Sequence, residues 1–166
     1  VTSMSDQSVP LRLAATAVLL RNSDKGIETL LLRRNAKLAF AGGVWVFPGG
    51  AINIDELEAA ATEQEAAVTA AVREISEECG LNVPCQDLIH FCNWTTPAGE
   101  KRRFATWFFV GNVDGDSGKV IIDDGEIHEF QWISPEDAIT LHHQGELTLM
   151  PPTYLSLSLL THYETA

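Results

Sequence analysis

Cysteine is scarce in this chain, and the three that occur, Cys79, Cys85 and Cys92, form no CxxC pair. So small and odd a set supplies neither a disulfide framework nor a zinc-ligand spacing, and a reducing cytoplasm is the simplest compartment to expect. Basic residues are scarce too: 11 Lys and Arg stand against 23 Asp and Glu, a formal net charge of −12 at pH 7. Broad nucleic-acid binding is therefore not expected, because duplex affinity rests on cations that neutralise phosphates. An acidic protein that handles phosphates needs metal ions between the two. No apolar run is long enough for a membrane span. The run over 11–20 follows a stretch with Asp6 and no Lys or Arg, and is read as a first strand rather than the core of a signal peptide. Internal repeats and interdomain linkers are also missing.

What is present is a chain of 166 residues, 45% hydrophobic, whose apolar residues are spread along its length. That size suits one domain over 1–166 with a single sizeable core, and residues 1–10 are expected to form a flexible N-terminus. Residues 16–21 and 28–33 are β-rich runs around Asn22-Ser23-Asp24-Lys25-Gly26, which has hairpin-turn chemistry. Residues 44–47 predict a short strand, ended by a tight turn at Pro48-Gly49-Gly50. Residues 88–95, 103–113 and 130–133 predict further strands. Ser134-Pro135 and Pro151-Pro152-Thr153 predict the starts of two late helices. The sum is a mixed sheet packed by helices, an α/β (α+β) domain.

Between residues 62 and 79 the pattern turns helical. Val68, Ala71, Val72, Ile75 and Cys79 form one apolar stripe, Thr62 and Glu65 a capping box, and Gly80 then Pro84 the stop. To one side of the stripe Glu74, Glu77 and Glu78 share a wedge roughly 100° wide. Such a cluster, if partly buried, requires protonation or a cation, since two charges about 4 Å apart repel by roughly 4 kcal/mol at a dielectric of 20. A hard ion, Mg²⁺ or Mn²⁺, suits all-oxygen ligands better than zinc does. Taken alone, the helix reads more readily as a solvated acidic face.

The surrounding pattern resembles the box of the Nudix hydrolases, G-x5-E-x7-R-E-U-x-E-E-x-G-U with U bulky and apolar. Glu65, Arg73, Glu74, Ile75, Glu77, Glu78, Gly80 and Leu81 match from the first Glu onward, while the box glycine falls on Ala59. The Gly49-Gly50 pair lies nine residues too early, as if 51–61 carried an insertion. The resemblance implies a Nudix-like mixed β-sheet packed between helices and a pyrophosphohydrolase that cuts X-P-O-P-Y with Mg²⁺ or Mn²⁺. It implies Glu74, Glu77 and Glu78 as metal ligands, Glu77 among the catalytic groups, and Arg73 as the residue that orients a neighbouring carboxylate. Glu65, Gly49 and Gly50 are supporting residues, although capping alone accounts for Glu65.

Related enzymes take a further carboxylate from a variable loop, for which Glu126 and Glu129 are candidates; solvated loop charges beside Asp123 and Asp124 are the bland alternative. Strand alternation points the two to opposite faces, with Glu126 preferred. Arg33, Arg34 and Arg103, with Lys101 and Arg102, are candidate substrate contacts, for which surface ion pairing is an equal account. His142-His143 lacks a metal-ligand spacing, and Trp45, Trp94 and Trp107 read as core aromatics. The glycine pairs, the insertion, Thr96-Pro97 and Pro151-Pro152-Thr153 loosely resemble the coenzyme A diphosphatase branch. The expected partner is a small nucleoside diphosphate derivative, with coenzyme A or acyl-coenzyme A one form of it. Two readings stay open: a non-catalytic nucleotide or sugar sensor, and a homodimer that completes the pocket.

Overall fold

The computed structural model describes residues 9–166, so most of the N-terminal stretch 1–10 lies outside the described residues. Val9 and Pro10 precede the first strand and carry no secondary structure. Among the described residues one mixed sheet holds seven strands: β1 (Leu11–Ser23), β2 (Gly26–Arg34), β3 (Trp45–Val46), β4 (Gly49–Ala51), β5 (Ile89–Thr95), β6 (Arg103–Asn112) and β7 (Ile127–Ile133). The helices are α1 (Ile54–Ala59), α2 (Glu63–Cys79), α3 (Pro135–His143) and α4 (Pro151–Leu160).

β1 and β2 form the expected hairpin, closed at Ser23 opposite Gly26 with Asp24 and Lys25 as the loop. Gly26 has φ +107, a conformation that costs glycine little and L side chains much. Further along, the two strands diverge. β1 pairs in parallel with β6 from Leu11 opposite Arg103 to Leu20 opposite Asn112, and β2 pairs with β7 on its outer edge. β3 joins β2 and β4 joins β1, so the two short strands around Phe47 and Pro48 fill the wedge left between β1 and β2. Gly49 and Gly50 thus lie in a strand, correcting the expected turn. They are glycine because of crowding: a Cβ on Gly49 would meet the Ala15 carbonyl and come within 2.8 Å of Thr16 Cα.

Alternation along β1 divides the core in two. Ala15, Ala17 and Leu19 face α2, where Ala66, Ala67, Ala70, Ala71, Ile75 and Cys79 are buried. Val18 and Leu20 face the opposite layer, where Ala138 of α3 and Leu157 of α4 pack with Phe108 and Ile133. The buried stripe of α2 is centred on alanines, with Val68 and Val72 at its margin, so the helix lies close to the sheet. Thr62 caps α2 by accepting the Glu65 N–H, and Gly80 ends it in the left-handed region at φ 67, as expected. Glu65 itself accepts the Ala61 N–H rather than that of Thr62. No described helix is long and apolar enough to cross a membrane.

Candidate active site

The wedge strand β4 and the C-terminal half of α2 face one another, and the three glutamates of α2 meet that strand differently. Glu78 is buried and accepts the Gly49 N–H through Oε2 at 2.9 Å. Glu74 lies against Gly50, where a Cβ would come within 2.6 Å of its carboxyl carbon. Glu77 is 60% exposed. The glycine pair therefore lets the carboxylates of α2 approach the backbone of β4.

Arg73 ties these groups together. Its guanidinium donates to Glu74 Oε1 at 2.7 Å, Glu77 Oε2 at 3.2 Å and the Ala51 carbonyl at 3.0 Å. It also donates to both oxygens of Glu56, from Nε at 2.8 Å and Nη2 at 3.2 Å. Glu56 belongs to α1, the helix formed by the inserted stretch, and its side chain is only 8% exposed. Sequence reasoning missed this residue. Its only local signal is Asn53 three residues earlier, whose N–H it accepts at 2.8 Å.

The electrostatics follow from burial. Desolvation raises the Glu78 carboxyl to about 8, with Glu74 and Glu126 adding to the rise and the Gly49 N–H opposing it. Burial likewise raises Glu74; the Arg73 hydrogen bond offsets part of this, and Glu77 and Glu126 add to it. For Glu56 burial acts upward too, but hydrogen bonds from Arg73 and Asn53 outweigh it and hold the carboxyl below its ordinary value. Hydrogen bonding to Glu56 raises Arg73 in turn. Two carboxyls on one helix, both shifted upward by burial, beside a carboxylate held down by Arg73, form a site that gains from an added cation.

Glu74, Glu77 and Glu78 have the oxygen chemistry of a Mg²⁺ or Mn²⁺ site. Among the described residues, no three acidic, His or Cys side chains already converge as a ligand cage. Arg73 or Gly49 holds one oxygen of each glutamate, leaving the other for a ligand role.

Of the two loop candidates, Glu126 belongs to this site's field and Glu129 does not. Glu126 precedes β7, so strand alternation does not position it. Asp123 does, accepting the N–H groups of Glu126 at 3.2 Å and Ile127 at 3.0 Å. Glu129 lies opposite Arg33 and pairs with it at 3.3 Å, while Arg34 pairs with Glu126 at 2.8 Å. Surface ion pairing thus accounts for Arg33. Arg34 stands closer to the glutamates, and its buried Nε has no acceptor among the described residues. Arg103 donates to the Thr96 carbonyl at 3.2 Å. His142 and His143 contact the Leu147 carbonyl and the Tyr154 hydroxyl. Trp45 is buried, but Trp94 and Trp107 are only half-buried, and Trp107 donates to Glu63 at 2.7 Å.

A mixed sheet between helical layers, with an acidic helix against a glycine strand, defines the class of fold. Residues 10–151 match the Nudix domain family, and the chain belongs to it. Nudix hydrolase 7 of Caenorhabditis elegans is 28% identical over 90% of this chain and 60% of its own length. An acyl-coenzyme A diphosphatase of Gallus gallus is 30% identical over 47% of this chain and 22% of its own. The chain thus spans less than two thirds of either relative. Among solved structures, a Nudix hydrolase from Alicyclobacillus acidocaldarius superposes with a TM-score of 0.84 at 24% identity, covering 95% of this chain and 94% of that one. The Nudix domain of Shewanella oneidensis NrtR, complexed with ADP ribose, gives 0.69 at 15%, covering 92% and 88%.

Proposed function

We propose that the chain is a divalent-metal-dependent pyrophosphohydrolase that cuts the diphosphate bond of a nucleoside diphosphate derivative. The observation that carries this reading is the Glu74, Glu77 and Glu78 set, two of its members held against the Gly49-Gly50 strand and all three beside Arg73 or the strand backbone. Glu74, Glu77 and Glu78 are assigned as ligands for Mg²⁺ or Mn²⁺. Such an ion supplies charge for the diphosphate oxygens and lowers the pKa of water.

The residues of the chain do the rest. Arg73, itself held by Glu56, orients Glu74 and Glu77, and β4 limits where Glu78 can move. Glu126 accepts the proton of the attacking water as its oxygen bonds to one phosphorus. The bridging oxygen then leaves with the other phosphate. Arg34 is assigned to a phosphate oxygen, for which it must loosen its pair with Glu126.

Within this class the reading extends to coenzyme A or acyl-coenzyme A, supported by the similarity to an acyl-coenzyme A diphosphatase along 47% of the chain. A substrate panel with mass-spectrometric identification of products, run with Mg²⁺ and with EDTA, tests both levels. Phosphopantetheine and adenosine bisphosphate products support the finer reading. ADP-ribose or nucleotide-sugar cleavage keeps the class and removes coenzyme A. Ligand-induced thermal stabilisation without product identifies a sensor instead.

A further inference from the structure

The few cations of this acidic chain are unevenly used. Arg21, Arg33, Arg34, Arg73 and Lys119 each pair with a carboxylate. Arg12, Lys101, Arg102 and Arg103 make no ion pair among the described residues, and all four line one cavity of about 220 Å³. They gather there because β1 and β6 run in parallel with Leu11 opposite Arg103 and Arg12 opposite Phe104, which brings the start of β1 to the turn before β6. Like charges so close repel unless an anion lies among them. Nearby Glu100 makes no ion pair with them. A cavity lined by four cations that pair with no carboxylate among the described residues favours an anionic occupant.

The cavity also connects to the candidate active site. The loop 35–44 starts beside Arg34, which pairs with Glu126, and is pinned there by hydrogen bonds between Arg34 and both Gly43 and Val44. Further along, Phe40 packs 6.1 Å from the Phe104 ring and lies under the Arg102 guanidinium at 5.2 Å. A single loop thus touches the carboxylate site at its base and the cationic cavity near its middle. Along β1, Arg12 is four residues from Thr16, the partner of Gly49, or about 13 Å of strand. Arg12 alternates to the face of β1 opposite α2, so a ligand with its diphosphate at Gly49 and Glu78 reaches the cavity around the end of the β1–β4 pair, where Phe40 and Phe104 supply an aromatic surface.

We propose that this cavity is a phosphate-monoester subsite, which takes a terminal phosphate that the substrate carries apart from the diphosphate to be cut. The inference rests on the diphosphate hydrolase reading above and narrows it to substrates with a third phosphate, such as the 3′-phosphate of coenzyme A.

Calorimetric titration with adenosine 3′,5′-bisphosphate and with adenosine 5′-monophosphate tests the cavity without any turnover. The unaltered protein should bind the bisphosphate tighter by about tenfold or more. Arg12→Gln and the double variant Lys101→Gln/Arg102→Gln should each remove most of that preference. In hydrolysis, the same variants should lower the discrimination in KM between coenzyme A and its 3′-dephosphorylated form by a similar factor. Equal binding of the two nucleotides, or a preference that survives both variants, overturns the subsite whatever the hydrolysis assays give. A preference lost in the variants, in a protein that hydrolyses no coenzyme A, upholds the subsite and removes the coenzyme A reading.

Discussion

Glu56 and Arg73, seventeen residues apart, meet through two hydrogen bonds and form the most enclosed ion pair at the candidate site. Charge-assisted bonds of this kind, two from one fork, fix orientation as well as contributing energy. Arg73 in turn reaches Glu74 and Glu77, so Glu56 acts on the glutamates through it. Glu56→Gln keeps the shape but removes the charge. We expect kcat to fall about tenfold with KM little changed, since loss of a charged hydrogen bond is worth about 1.5 to 3 kcal/mol. A KM rise with kcat intact would place Glu56 in substrate binding instead.

Glu77→Gln and Glu78→Gln are expected to lower turnover about a hundredfold or more at saturating Mg²⁺, while both variants still fold. Glu77 is exposed, so its variant should also keep its thermal midpoint. Near-normal rates in both would remove the metal-ligand assignment.

Without divalent ions, Glu78 should make stability fall with rising pH. Its carboxyl is raised to about 8 in the folded chain from 4.5. Between those values the folded state binds more protons than the unfolded one, so its stabilisation declines through that window and is fully lost above the folded value. Glu78→Gln lacks this decline. Its melting temperature relative to the parent chain should be about 10 °C higher at pH 8 than at pH 5, and Mg²⁺ should shrink the difference. Parallel melting curves from pH 5 to pH 8 would show that Glu78 does not titrate there.

The two loop carboxylates should separate in pH–rate profiles. Glu126→Gln should lower kcat and alter the pH–rate profile, because Glu126 is the group proposed to take the proton of the attacking water. Glu129→Gln should leave the profile as it is, because Glu129 pairs with Arg33 at the sheet edge. Unchanged profiles in both would leave the role of base to another group.

Local patterns carried much of this molecule. The α2 boundaries follow from Thr62 and Gly80, and the first hairpin from its turn residues, because caps and turns are decided within a few positions. The chemistry of the glycine pair was legible, but not its place. Gly49 and Gly50 read as a turn and are a strand, since the crowding that requires glycine comes from Thr16 and Glu74, far off in sequence. Glu56 was hidden for the same reason: nothing near it announces Arg73. Arg33 and Arg34 looked like equivalent phosphate contacts until a register shift in the β2 and β7 pairing gave them different partners.

The parallel pairing of β1 with β6 has a consequence for how the site comes into being. β4, α1 and α2 all lie on the chain between those two strands, so the elements of the candidate site sit inside one of the two long closures of the sheet, the other being β2 with β7. Such non-local pairing is slow, because the entropy of closing the chain is lost before the contacts repay it. During synthesis the acidic helix is complete while its sheet still lacks β6, and the strand that supports Gly49 has a partner only on one side. The candidate site is thus assembled late, together with the sheet's central pair rather than with its own helix.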